Sequence, residues 1–386
     1  PTCAATNAGT STGGQLSTSV IDVGMKRTTE IVPVLEGGLG VNGIILLVTG
    51  IALIAFLPLL FKQKWKRDKK NPHARPLATI IIPGLLLLTG IGGKFTQDTT
   101  DKNNWAGWRL VADNVFVALA RETIGGPSLK KVPQSAPNPF SSVNEKEIDE
   151  KDLPNIVLFI MEATAKRVSS FVPGMEKQTP FMLDMARNGL FASNMRAVLP
   201  HTSKSIFSMI CGQYPSMQTE VLETADNYGM QCLPHILKKV GYTTAFFQSA
   251  DGRFEARPRL VHNMGFEHFE ARQDLKPKTQ PLGYLAGDDM GLVEPSLRWA
   301  KRQKKPFFMT ILTSASHHNY ELSKRLIRKY KIKDHKNWHD SSKYGLLIKE
   351  IDTVLNRVVG GIARQGQAKD LLVVATGDHG EAFGEH

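Results

Sequence analysis

The segment His201-Thr202-Ser203-Lys204-Ser205 places three hydroxyl groups and a lysine directly before an apolar run. Apolar residues then recur at helical spacing, so a helix is predicted to begin near Ser203, with Thr202 at or beside its N-cap. A threonine in that position often serves only as a helix cap. The position also suits a nucleophile, because a helix N-terminus stabilises an alkoxide and an anionic phosphate. The sequence is compatible with both roles.

Three other residues have the chemistry of a divalent-metal site. Glu162 directly follows one apolar run, and Asp378 and His379 closely follow another. Two carboxylates and one imidazole form a mixed ligand set that suits Zn²⁺ or Mn²⁺ better than Ca²⁺, which prefers oxygen ligands alone. Each residue alone has an ordinary explanation as a cap or a turn. Together they predict one bound divalent ion, Mn²⁺ or Zn²⁺, which would activate the Thr202 hydroxyl.

Basic and histidine side chains are predicted to complete this site. Lys204 and an arginine within residues 253–259 are expected to hold the anionic oxygens of a substrate, because cationic side chains make strong hydrogen bonds to them. The pair His317 and His318 follows a further apolar run, at 306–313.

The elements that must position these residues alternate along the chain. Short apolar runs predict strands buried on both faces, at 155–161, 242–248, 306–313 and 370–376. Helical stretches separate them, at 179–190, 231–241 and 343–363. This alternation predicts an α/β fold with a mostly parallel sheet and helices on both faces. Ligands bind at the carboxyl ends of such strands, so the candidate residues are expected to meet at one edge.

The first part of the chain has a different composition. Two apolar runs, 41–61 and 77–93, are predicted to be transmembrane helices. The loop between them, 62–75, holds seven Lys or Arg and one acidic residue, which indicates a cytoplasmic loop. Everything after residue 93 is then predicted to be extracytoplasmic. The resulting organisation is a polar segment (1–35), a transmembrane region (36–93), a juxtamembrane helix and linker (94–153) and a catalytic domain (154–386).

Composition narrows the remaining function classes. The formal net charge is +12, but aromatic residues make up only 8% and no nucleic-acid-binding motif occurs, so nucleic acid is not an expected partner. The three cysteines form no C-x-x-C pair, which excludes a zinc ribbon or thioredoxin-type site. Cys211 and Cys232 are predicted to form either a disulfide or two buried thiols. Because the chain opens on Pro1 and stops within a motif, it is interpreted as a C-terminally incomplete piece of a longer protein.

Five blocks of the sequence resemble, in order, the sulfatase domain of the alkaline-phosphatase superfamily. They are PNIVLFIMEAT, TPFMLDMARNGLFASNMRAVLPHTSKSIFSMICGQYPS, GRFEARPRLVHNMGFEHF, TSASHHNY and GDHGEAFGEH, and the match covers residues 154–386. True sulfatases carry a Cys or Ser in a C/S-x-P-S-R motif that matures to formylglycine. Here the position reads Thr202-Ser203-Lys204-Ser205, which resembles the membrane-anchored branch, the lipoteichoic acid synthases and phosphoethanolamine transferases.

The resemblance implies roles for individual residues. It implies that Thr202 is the nucleophile, with Ser203 and Ser205 as the alternatives. It implies that His317 and Arg257 contact the substrate, with His318 as the alternative to His317. The implied metal ligands are Glu162, Thr202, Asp378 and His379.

One residue departs from the synthase pattern. Glu255 stands where the synthases have an aromatic residue before the arginine pair.

The resemblance also implies an activity and a location. The expected enzyme is a multi-pass protein of the inner or plasma membrane with an extracytoplasmic catalytic domain. It would transfer a phosphoglycerol- or phosphoethanolamine-type head group from a phospholipid, through a phospho-threonine, to an envelope glycan or glycolipid. With water as acceptor, the same fold would be a phosphodiester or sulfuric-ester hydrolase. A third alternative is a non-catalytic receptor built on the same fold.

Overall fold

The computed structural model describes residues 153–215, 222–224, 231–367 and 370–383, which all lie in one of the two units of the chain, 131–385. The predicted transmembrane helices, the basic loop and the juxtamembrane helix lie outside the described residues. Among the helices of the described part, none is both long enough and apolar enough to span a bilayer.

The strands of the described residues are β1 (Asn155–Met161), β2 (Thr243–Gln248), β3 (His268–Glu270), β4 (Pro281–Leu282), β5 (Ala286–Gly287), β6 (Phe307–Leu312) and β7 (Leu371–Gly377). Five of them form a parallel central sheet in the order β3-β2-β6-β1-β7, and β4 and β5 form a separate antiparallel hairpin. All four strands predicted from apolar runs are present. The short strands β3, β4 and β5 were not predicted, because two or three residues are too few to show a pattern.

Seven α-helices surround the strands in the described part of the chain. They are α1 (Pro180–Asn188), α2 (Thr202–Cys211), α3 (Leu233–Lys239), α4 (Arg257–Asn263), α5 (Val293–Lys301), α6 (Lys324–Lys329) and α7 (Asp340–Arg364). The three helices predicted at 179–190, 231–241 and 343–363 correspond to α1, α3 and α7.

Helices cover both faces of the sheet, as the alternation of elements predicts. Neighbouring residues of a strand point to opposite faces, so Phe246 and Phe247 of β2 pack in different clusters. Phe246 lies with α2 and α4, whereas Phe247 lies with α7. The two buried clusters therefore hold α2 and α7 on opposite sides of the strands that carry the candidate residues.

The prediction that residues 370–376 form a strand buried on both faces is wrong for part of β7. Leu372 and Val374 are 49% and 42% exposed. The physical reason is position: β7 is an edge strand and pairs only with β1 among the described residues. The prediction holds for the interior strand β6, all of whose residues are buried.

A disulfide joins Cys211, the last residue of α2, to Cys232, the N-cap residue of α3. Of the two alternatives predicted for these cysteines, the structure contains the disulfide. The bond ties the end of the helix that begins at Thr202 to the next helix of the same layer.

Candidate active site

Adjacent strands bring Glu162, Asp378 and His379 together. The ends of β1 and β7 pair in register, with Met161 opposite Gly377, so the residues that follow both strands share one edge of the sheet. A glycine is needed at 377, because a Cβ there would lie 2.5 Å from the carbonyl oxygen of Thr164. The residues that follow β1 and β7 thus lie at the same edge of the sheet, as predicted.

The Asp378 carboxylate is held so that one oxygen stays available. Its Oδ1 accepts hydrogen bonds from the backbone N–H of Ala163 (2.8 Å) and of His379 (2.7 Å). Its Oδ2 is buried and accepts no hydrogen bond within the described part of the chain. A buried carboxylate oxygen without a hydrogen bond is costly unless a cation binds it.

The His379 ring directs Nε2 toward the same point. Its Nδ1 lies 3.0 Å from the Gly380 carbonyl oxygen, an acceptor that suits the tautomer with a proton on Nδ1 and a lone pair on Nε2. Nε2 lies 3.5 Å from Glu162 Oε1 and 3.5 Å from Asp378 Oδ2. A hydrogen bond to the far ring nitrogen is the usual support for a metal-binding histidine.

These three side chains fit a divalent cation. Each offers one ligand atom, and the atoms lie within 4.8 Å of one another. Burial and the neighbouring Asp378 carboxylate raise the pKa of Glu162 well above its usual value, and burial raises the pKa of Asp378. Two carboxylates this close destabilise each other when ionised, and a bound cation would relieve the repulsion.

The Thr202 hydroxyl lies against this group. Thr202 Oγ1 is 3.1 Å from both carboxylate oxygens of Glu162 and 3.4 Å from His379 Nε2. Thr202 is the first residue of α2, and the N-cap is His201, which makes no side-chain capping bond. The helix begins one residue earlier than predicted, and the capping role considered for Thr202 is wrong because its hydroxyl faces Glu162.

The two alternative hydroxyl groups are held elsewhere. Ser203 Oγ donates to the Glu255 carboxylate. Ser205 Oγ donates to the Leu199 carbonyl at 2.9 Å. Thr202 is therefore the hydroxyl of this segment that faces the three candidate metal ligands.

Arg257 is the arginine of residues 253–259 that the fold buries near the site. It is 4% exposed, and its Nε and Nη1 have no hydrogen-bond partner among the described residues. Burial lowers the pKa of its guanidinium, whereas the charges of Glu255, Glu162 and Asp378 act in the opposite direction. Buried N–H groups without partners are suited to an anionic ligand. Arg253, by contrast, is exposed and paired with Asp251.

Lys204 is buried in the first turn of α2. Burial lowers the pKa of its ammonium, and the charges of Glu223 and Glu255 oppose this shift. Its predicted role in holding substrate oxygens stays a prediction.

His317 and His318 lie on the loop after β6, beside Tyr284. The Tyr284 hydroxyl is 3.5 Å from His317 Nδ1 and 3.3 Å from His318 Nδ1. Burial and the neighbouring His318 lower the pKa of His317 to about 3, so this ring is neutral at physiological pH. The charges of His379 and Glu255 also act on the pKa of His317, whereas the acidic residue that affects His318 is Glu381. Of the two histidines, His317 is thus the one whose pKa is affected by a candidate metal ligand, His379.

Two residues of the site were not predicted from the sequence. Tyr284 lies between β4 and β5, where no periodic pattern marks a hairpin. Glu255 was singled out only because it departs from an aromatic pattern. A carboxyl group two positions before the buried Arg257 is the signal that identifies it as a part of the site.

Asp289 anchors the loop that carries His317. Its carboxylate accepts from the backbone N–H of Ser314 (2.8 Å) and Ala315 (3.2 Å) and from the Ser249 hydroxyl. Burial raises the pKa of Asp289 to about 7. The loop after β6 is thus held by hydrogen bonds to a buried carboxyl group whose pKa is about 7.

Asp289→Asn is expected to change how the free energy of unfolding depends on pH. Folded Asp289 holds its proton up to about pH 7, whereas in the unfolded chain it titrates near 3.8. The contribution of this proton to stability is complete below pH 3.8 and is lost as the pH rises through 7. The free energy of unfolding of each protein would be measured by urea denaturation at pH 5 and at pH 7. Between these pH values, the parent should lose on the order of 2 kcal/mol of stability relative to the variant. A difference that stays constant with pH would contradict the assignment.

Comparisons with known proteins place residues 154–386 in one family. A family model described as sulfatase matches these residues. The lipoteichoic acid synthase LtaP from Listeria monocytogenes is 19% identical, with a TM-score of 0.52, over 60% of this chain and 58% of that one. A protein in the alkaline phosphatase superfamily from Vibrio parahaemolyticus is 18% identical, with a TM-score of 0.51, over 61% of this chain and 57% of that one. These two similarities confirm the predicted alkaline-phosphatase-like fold.

A further solved structure is the C-terminal periplasmic domain of EcEptC from Escherichia coli. It is 14% identical, with a TM-score of 0.44, over 60% of this chain and 64% of that one. This chain spans less than two thirds of each of the three structures. Among curated protein sequences, none is significantly similar to it.

Proposed function

The chain belongs to the sulfatase family, a class of enzymes that act on sulfate or phosphate esters, and we propose that it transfers a phospho-head group from a membrane phospholipid to a hydroxyl of an envelope glycan or lipid. The observation that carries this proposal is the position of the Thr202 hydroxyl. It lies at a helix N-terminus, within 3.4 Å of Glu162 and His379.

In the first step, Thr202 Oγ1 loses its proton and forms a bond to the phosphorus of the phosphodiester. The bond from phosphorus to the lipid alcohol breaks, and the alcohol leaves with a proton. In the second step, the acceptor hydroxyl loses its proton as its oxygen bonds to phosphorus, the bond from phosphorus to Thr202 Oγ1 breaks, and Oγ1 takes up a proton. Arg257 binds the phosphoryl oxygens through the two N–H groups that have no partner among the described residues.

A divalent ion bound by Glu162, Asp378, His379 and the Thr202 hydroxyl would supply positive charge that lowers the pKa of this hydroxyl. The mixed oxygen and nitrogen ligands favour Mn²⁺ or Zn²⁺.

His317 is proposed to bind the substrate in the second step. Burial lowers the pKa of its ring to about 3, so the neutral imidazole can hydrogen-bond to the acceptor hydroxyl but is too weak a base to keep its proton. Tyr284 lies 3.5 Å from its Nδ1 and would orient the ring.

The residue type at 202 supports phosphoryl transfer over sulfate hydrolysis. Residue 202 is a threonine, and the segment lacks the C/S-x-P-S-R pattern that matures to formylglycine. A threonine ester of a phosphoryl group is a covalent intermediate of ordinary nucleophilic catalysis.

The proposed location is the outer face of a membrane. The two apolar runs, 41–61 and 77–93, would anchor the protein, and the basic loop between them would lie in the cytoplasm. The Cys211–Cys232 disulfide supports this orientation, because disulfides persist mainly outside the cytoplasm.

The product distribution tests the proposal. Purified protein with Mn²⁺ would be given phospholipid with a radiolabelled head group and a glucosyl diacylglycerol as acceptor. We expect the label to move to the glycolipid while diacylglycerol is released. Label found only in a free phospho-head group would identify a hydrolase with water as acceptor. Cleavage of an aryl sulfate without any phospholipid cleavage would contradict the proposal.

A further inference from the structure

Glu255 connects the nucleophile segment to the arginine of the site. Its Oε1 lies 3.2 Å from His201 Nε2, and its Oε2 accepts from the Ser203 hydroxyl and lies 3.7 Å from Arg257 Nη2. His201 and Ser203 are the residues on either side of Thr202. One carboxylate thus contacts both neighbours of the nucleophile and the guanidinium that the function above assigns to the phosphoryl group.

The backbone adopts an unusual conformation to place this carboxylate. Glu255 has φ 53° and ψ 35°, and Ala256 has φ 49° and ψ 39°. Two consecutive residues other than glycine in the left-handed region cost free energy, and such strain persists where surrounding contacts compensate for it. These two residues directly precede α4, so their conformation sets the position of Glu255 relative to Arg257, the first residue of α4.

The neighbours of Glu255 favour the ionised form of its carboxyl group. Burial raises the pKa of a carboxyl group, but His201, Arg257 and Ser203 together outweigh burial and hold the pKa of Glu255 below its usual value. Its side chain is 18% exposed. The group is therefore an ionised carboxylate with several partners in the folded protein.

The contact to Arg257 has a geometric consequence. Glu255 engages the Nη2 end of the guanidinium, and Nε and Nη1 are the two groups without partners among the described residues. Because the guanidinium is planar and rigid, an ion pair at Nη2 restricts the directions in which Nε and Nη1 can point.

We propose that Glu255 is a positioning residue that holds Arg257 and the first turn of α2 in a fixed relative position. The arginine can then bind the same phosphoryl group that the Thr202 hydroxyl attacks. This inference rests on the proposed function for the identity of the substrate. The positioning itself concerns an oxyanion bound by Arg257, and it is measurable without turnover.

The test compares Glu255→Gln with Glu350→Gln in the full chain. Glutamine keeps the size of the side chain and removes its charge. Glu350 is the matched control, because it is also a buried carboxylate paired with basic side chains, Arg325 and Lys329, which lie outside the site. Binding of inorganic phosphate to the Mn²⁺-loaded proteins would be measured by calorimetry, and Mn²⁺ binding would be measured separately.

We expect Glu255→Gln to weaken phosphate binding by about tenfold or more, the usual effect of losing a supporting carboxylate, with Mn²⁺ affinity within about twofold of the parent. Glu350→Gln should leave both affinities unchanged. With a phospholipid donor, Glu255→Gln should raise KM more than it lowers kcat. Unchanged phosphate affinity in Glu255→Gln would overturn the inference, as would an equal loss in Glu350→Gln. If the phospholipid is not a substrate at all, the phosphate result still decides the role of Glu255.

Discussion

Thr202→Ala is expected to lower kcat by at least about 10³-fold, because no other hydroxyl in the segment can replace the lost nucleophile. Ser203 is engaged with Glu255, and Ser205 donates to the Leu199 carbonyl. Thr202→Ser should keep measurable activity, since it restores a hydroxyl at the same position. Release of diacylglycerol from a labelled phospholipid measures these differences.

Ser205→Ala is the matched control for this prediction. It removes a hydroxyl from the same turn of α2, but that hydroxyl bonds a backbone carbonyl and does not face Glu162. We expect kcat within about threefold of the parent, as for a residue outside the reacting group. Full activity of Thr202→Ala, or a Ser205→Ala variant that is equally inactive, would contradict the role of Thr202.

Asp378→Asn is expected to weaken binding of the divalent ion by more than about 100-fold, because it removes the charge of a proposed metal ligand and not that of a supporting contact. The amide also cannot reproduce the carboxylate, whose Oδ1 accepts two backbone N–H groups and whose Oδ2 is left for the ion. Isothermal calorimetry with Mn²⁺ and with Zn²⁺, together with elemental analysis of the purified protein, measures the loss.

The same substitution should make the metal-free protein more stable than the metal-free parent. Asp378 is one of two buried neighbouring carboxylates, and removing its charge relieves the repulsion that raises the pKa of Glu162. The exposed carboxylate of Glu294, paired with Arg298 on the surface, provides the control variant Glu294→Gln. Binding of Mn²⁺ by Asp378→Asn as tight as that of the parent would contradict the assignment of Asp378 as a metal ligand.

The sheet and the edge on which the site lies were predictable because buried strands are nearly continuous apolar runs. The runs at 155–161 and 306–313 are interior strands, and the polar residues that follow them meet as expected. The exposure of Leu372 and Val374 was not predictable, because the place of a strand within a sheet is not encoded in its own residues. The start of a helix at Thr202 was compatible with a cap or a nucleophile, and only the folded chain shows that its hydroxyl faces Glu162.

Other parts of the site depend on backbone geometry that no periodic pattern reveals. Glu255 reaches the nucleophile segment only because two successive residues adopt positive φ. Tyr284 reaches the histidine pair from a hairpin whose strands have two residues each. Asp289 supports the His317 loop through backbone N–H groups, which are the same for every sequence. Such contacts are visible only once the chain is folded.

Identification of the covalent intermediate is the most direct measurement of the central claim. The Mn²⁺-loaded protein would be mixed with phospholipid donor in the absence of acceptor, quenched in acid, digested and mapped by mass spectrometry. The expected result is a phospho-head group attached to Thr202, absent in Thr202→Ala and in protein treated with chelator. Turnover of the donor with the modification on a different residue, or with no modified residue under conditions that trap the intermediate, would contradict it.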